Sequence, residues 1–170
     1  KYSVLEFRTM DSAYHGEASQ ALRDTIFDML NIQDWMKQYR LHQGYEVLSY
    51  VGSLKNEKDV DAVSAVVREK LDIDIAWFKQ CRDANHAFKF IREKCEAVGI
   101  LVMMNGVVGA NTHRPLSLAE FRAFVLVDAY APLIFINARD TVNGRLFSLL
   151  HEIVHVFVGT DNLFNADDGD

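Results

Sequence analysis

The stretch Leu146-Phe147-Ser148-Leu149-Leu150-His151-Glu152-Ile153-Val154-His155-Val156-Phe157-Val158 is apolar at nine positions and polar at four. A helix that is apolar on nearly every side is buried on most of them. The spacing predicts a helix over residues 141–158, capped by Asp140 and closed by Gly159. A carboxylate on such a helix costs on the order of several kcal/mol unless something pairs with it, so Glu152 asks for an explanation other than packing. Residues four apart on a helix lie one above the other, so His151 and His155 can reach one ion together. Two neutral imidazoles in a tetrahedral setting suit zinc. Glu152 is turned by about 100° from His151, too far round for a comfortable third ligand, and faces the open side of such an ion. Its expected role there is general base toward a water. Ser148, one turn earlier, is expected to bond either Glu152 or the helix backbone. By average residue usage, His-Glu-x-x-His arises by chance on the order of once in a few hundred chains of this length. A chance pair of core histidines is therefore the weaker explanation.

Working back from this helix, the apolar runs 121–127 and 133–136 read as strands joined by a turn at 128–132, and 100–104 as a further strand before the turn signal Asn105-Gly106. Three helices precede them. One over 17–41 carries Leu22, Ile26, Met29, Gln33 and Met36 on a stripe widened by Trp35 and Tyr39, with Gly44 as its stop. Its apolar face is expected to pack in the core rather than dock a partner. A second runs over 58–71, with Asn56 as N-cap and Val60, Val63, Val67 and Leu71 on one face. A third runs over 84–97, with Phe88, Ile91 and Cys95 inward and Gly99 ending it. Residues 1–10 read as an extended arm. The fold class is α+β: a mainly helical region, 1–98, packed on a zincin-like core, 99–170, with a small mixed or antiparallel sheet, most simply as one domain.

The chain has 170 residues, enough for a real core. With 49% hydrophobic and 25% charged residues, disorder is excluded as the default. A net charge of -6 gives no footprint for nucleic acid, so no direct nucleic-acid binding is expected. Cys81 and Cys95 are too few for a disulfide framework or a Cys-rich zinc site and read as free thiols. No apolar run is long enough to span a bilayer, no signal peptide is visible, and a cytoplasmic protein without membrane contact is expected. Both ends are expected to be cut from something longer.

Catalytic zinc usually has three protein ligands, and the third is not evident. The extended pattern His-Glu-x-x-His-x-x-Gly-x-x-His is not met, because Val158 and Asp161 stand where its Gly and last His belong. Asp161 is one candidate, Asp167, Asp168 and Asp170 are others, and a ligand beyond Asp170 is another. His113 is a candidate for orienting substrate or an oxyanion, with a plain surface His as the simpler reading. His15, His42 and His86 have no partner spacing. Arg122 is read as a strand-end ion pair rather than a substrate carboxylate site.

The stretch from Leu116 to Gly159 resembles the ImmA/IrrE family of metallopeptidases through Glu120-Phe121-Arg122-Ala123-Phe124, Ala131-Pro132-Leu133-Ile134-Phe135-Ile136-Asn137 and Arg145-Leu146-Phe147-Ser148-Leu149-Leu150 leading into His151-Glu152-Ile153-Val154-His155. The resemblance implies cleavage of a helix-turn-helix repressor, which switches on stress-response or mobile-element genes. It implies in some members a helix-turn-helix DNA-binding region before the peptidase, which here would lie outside the chain, and in others a toxin–antitoxin-like pairing. It also implies a third ligand that is a Glu downstream of the second His, and no Glu follows Glu152 in this chain. The expected function is a zinc endopeptidase acting on a repressor. The alternative is a weak or inactive interaction module that binds a repressor or antitoxin without cutting it.

Overall fold

In the computed structural model, which describes residues 18–159, four α-helices surround a small mixed sheet in an α+β arrangement. Helices α1 (Gln20–His42), α2 (Val60–Leu71) and α3 (Ala84–Ala97) come first, with one 3-10 turn at Trp77–Gln80 between α2 and α3. Strands β1 (Leu101–Asn105), β2 (Val107–Val108), β3 (Asn111–Pro115), β4 (Ala123–Leu126) and β5 (Leu133–Asn137) come next, and α4 (Val142–Val158) ends the described chain. The expected arm at 1–10 lies outside the described residues.

The sheet is organised around β5. It pairs in parallel with β1, Leu101 opposite Leu133 and Asn105 opposite Asn137, and antiparallel with β4, Ala123 opposite Ile136. Successive side chains on a strand point to opposite faces. Val102, Ala123, Val125, Ile134 and Ile136 therefore pack with Leu71, Ile91, Cys95, Leu149, Ile153 and Val156 on α2, α3 and α4. Phe124, Leu126, Leu133 and Phe135 pack on the other side with Leu22 and Ile26 of α1. A sheet covered on both faces needs continuous apolar strands, which is why β4 and β5 are buried at every position.

Helix α1 is held on its face of the sheet by polar as well as apolar contacts. The buried Gln33 amide donates to the carbonyls of Leu126 (2.8 Å) and Ala131 (2.9 Å), and Lys37 pairs with Asp128 at 2.8 Å. Burial raises the Asp128 carboxyl, but Lys37 and the backbone N–H groups of Tyr130 and Ala131 outweigh it and hold the group below its ordinary value. The core-facing stripe of α1 is narrower than expected. Trp35 (65% exposed) and Tyr39 (48%) lie outside it and stack on each other, since position 35 is turned about 200° from Gln33.

Three local expectations are corrected. Asp59, not Asn56, caps α2, its carboxylate accepting from Asp61 N at 3.0 Å. Val60, in the first turn, stays exposed. Asn105 does turn the chain, its side chain accepting from the N–H groups of Gly106 and Val107, but the turn leads into an unanticipated β2–β3 ribbon. The exposed residues of β3 give it no apolar alternation to read. Cys81 and Cys95 are free thiols, and burial pushes Cys95 up to about 12. Among the described residues no helix is long and apolar enough to cross a membrane.

The segment 48–57 closes over the end of α4. Gly52 N donates to Val156 O (3.1 Å) and Leu54 N to Phe157 O (2.9 Å), satisfying carbonyls that a helix end leaves open. Gly159 caps the helix at φ 73°, and a Cβ on it would sit 2.5 Å from Gly52 Cα. Gly109, at φ 56°, has nothing within 4 Å. Gly109→Ala is therefore expected to cost about 1–2 kcal/mol from the left-handed conformation alone, and Gly159→Ala clearly more. Equal losses for the two variants in urea unfolding would remove the Gly52–Gly159 contact from the account.

Candidate metal centre

The approach to α4 is fixed by Asn137 and Asp140. Asn137 is fully buried. Its N–H donates to Arg122 O at 2.8 Å, its amide to Phe121 O at 3.2 Å, and its side-chain oxygen accepts from Arg139 N at 3.1 Å. The Asp140 carboxylate accepts from Thr141 N and pairs with Arg122 at 3.1 Å. Arg122 thus makes the ion pair expected of it. The N-cap of α4 is Thr141, whose hydroxyl accepts from Gly144 N at 3.1 Å. Asp140 does not cap the helix because its carboxylate is engaged by Arg122 and by the N–H of Thr141. A side chain at Gly144 would overlap that carboxylate, so glycine opens the first turn.

Two turns further along, the histidines converge. His151 Nε2 and His155 Nε2 are 3.1 Å apart, with ring centroids at 4.9 Å. His155 is buried and His151 half-buried. Two imidazole nitrogens each about 2.0–2.1 Å from a tetrahedral zinc stand about 3.3 Å apart, so the pair fits a shared ion. The same distance also suits one ring donating to the other. Glu152, between them in sequence, is fully buried. Ser148 is buried too, and its hydroxyl has no hydrogen-bond partner among the described residues. It therefore bonds neither Glu152 nor the helix backbone, contrary to both expectations.

Among the described residues no group of three or more His, Cys, Asp or Glu is arranged to hold a metal ion. Asp161, Asp167, Asp168, Asp170 and His15 lie outside the described residues. His113 is exposed on β3, in the two-stranded ribbon apart from the main sheet, and does not join the pair. His42 Nδ1 lies 2.9 Å from Gln38 O, and His86 Nδ1 accepts from Arg82 N. Both are tied into local helix-end bonding. Sequence reasoning misses Phe147 as part of this face: it is 59% exposed and its ring centroid lies 6.3 Å from that of His151. The signal available is its place four residues before His151.

A helix entered from a buried strand thus carries paired imidazoles and a buried carboxylate side by side. Residues 95–170 match the model of a peptidase family, M78, described as the IrrE N-terminal-like domain. The resemblance to the ImmA/IrrE family is thus borne out over that segment. No curated protein and no solved structure gives a significant match.

A buried hydroxyl without a partner carries its desolvation cost uncompensated, about 1–3 kcal/mol. Ser148→Ala is expected to leave thermal stability unchanged or to raise it by about 1 kcal/mol. A loss of stability on that scale would mean that the hydroxyl has a partner in solution.

Proposed function

We propose that this protein is a zinc-dependent endopeptidase that cleaves a helix-turn-helix transcriptional repressor and so releases stress-response or mobile-element genes, acting in the cytoplasm. The 3.1 Å approach of two Nε2 atoms beside the buried Glu152 carries the reading, and the peptidase-family match supports it. His151 and His155 hold the ion, with Asp161 or a Glu beyond Asp170 as third ligand. Bound zinc supplies Lewis acidity toward a peptide carbonyl and brings water near neutral pKa. Glu152 takes a proton on its carboxylate from the attacking water and passes it to the leaving amine. Its burial sets this transfer in a low dielectric, where electrostatic effects are stronger than in bulk water. The two rings come from adjacent turns of one helix, so their spacing is set by the helix rather than by loop closure.

The second reading is an interaction module that binds the repressor or antitoxin without cutting. It is favoured by the 3.1 Å ring-to-ring distance, which also suits one imidazole donating to the other with no ion between them. Metal analysis and intact-mass spectrometry of a co-expressed repressor, with and without chelator, separate the two. The peptidase is expected to carry stoichiometric zinc, lost in His151→Ala and His155→Ala. Glu152→Gln should retain zinc and lose cleavage by roughly a hundred- to ten-thousand-fold. Full cleavage by Glu152→Gln, or cleavage that persists after zinc is stripped, would overturn the proposal. Stable repressor binding without cleavage would favour the module.

A further inference from the structure

On α4, the most apolar of the described helices, Phe147 is 59% exposed. It stands one turn before His151, with ring centroids 6.3 Å apart and planes inclined by 32°. Helical side chains lean toward the N-terminus, so the His151 ring leans over the turn that carries Phe147. The two rings border one another on the accessible side of the helix, while Glu152 and His155 lie beneath it.

We infer that Phe147 is a specificity-determining residue, the apolar wall of the subsite that receives the side chain next to the scissile bond. The inference rests on the peptidase reading and adds a substrate class: peptides with an aromatic or large aliphatic residue flanking the cut. A peptide whose carbonyl sits at the histidine pair has its two flanking Cα atoms on either side of that carbonyl, about 3.8 Å from each other. The flanking side chain then lies within reach of a ring centred 6.3 Å from His151. The phenyl face offers no hydrogen bond, so a charged side chain placed against it is desolvated without compensation, whereas an apolar one gains contact.

The test incubates the zinc-loaded chain with a peptide library from a digested proteome and maps cuts by mass spectrometry. It also measures binding of two fluorescein-labelled peptides, Leu or Ala at the selected position, to the non-cleaving Glu152→Gln protein. Wild type is expected to select apolar residues at one position flanking the cut. Phe147→Ala should lower the Leu-over-Ala ratio of kcat/KM about tenfold, the scale of apolar-pocket discrimination, mainly through KM. Its zinc content should stay unchanged. Phe147→Leu should keep most of the selection, and Phe147→Lys should shift it toward acidic residues. Unchanged selection in zinc-replete Phe147→Ala and Phe147→Lys, or cutting by wild type without apolar preference, overturns this inference and leaves the peptidase reading standing. A zinc-loaded wild type that cuts neither the library nor the co-expressed repressor removes both.

Discussion

Strand β5 is dry on both sides and paired along both edges, and the remaining geometry depends on that enclosure. Its five residues, Leu133–Asn137, are buried between α1 on one face and α2, α3 and α4 on the other. A strand so enclosed cannot slip by one residue without sending each apolar side chain to the opposite layer. The register fixes where Asn137 ends the strand, and Asn137 in turn fixes the backbone of Phe121, Arg122 and Arg139 around it. Helix α4 begins a few residues later, so the azimuth of His151, Glu152 and His155 is inherited from the core.

This inheritance explains how one helix carries apolar packing and polar chemistry together. Leu149, Ile153 and Val156 meet the sheet side, while the histidines turn toward each other along the next strip. The cost of burying Glu152 and His155 falls on an element whose apolar contacts are extensive. A surface helix could not present an equally desolvated carboxylate.

Much of this is legible in the residues. Helix α3 runs 84–97 as the periodicity predicts, with Phe88, Ile91 and Cys95 buried, because a three-or-four spacing of large apolar side chains between Asp83 and Gly99 leaves little freedom. The histidine pair is legible for the same reason: a spacing of four on a helix fixes proximity without tertiary information. Caps are harder to place to the residue, since Thr141 and Asp140 both carry suitable oxygens and only Arg122, remote in sequence, decides between them. Trp35 and Tyr39 read as inward because hydrophobicity alone does not report the width of the groove a helix fills. The β2–β3 ribbon is invisible because its strands are short and, in β3, polar. A third ligand is a question of tertiary placement, on which local periodicity is silent.

The meeting of Gly52 with Gly159 bears on how the chemistry could be tuned from afar. Helix α4 is pinned at its start through Asp140 and Thr141 and at its finish by the 48–57 segment, like a shaft held in two bearings. A residue roughly a hundred positions upstream in sequence thereby sits against the finish of the shaft. Substitutions in that distant segment would detune the angle between two rings they never touch, so the histidine pair answers to a part of the chain that contributes no ligand.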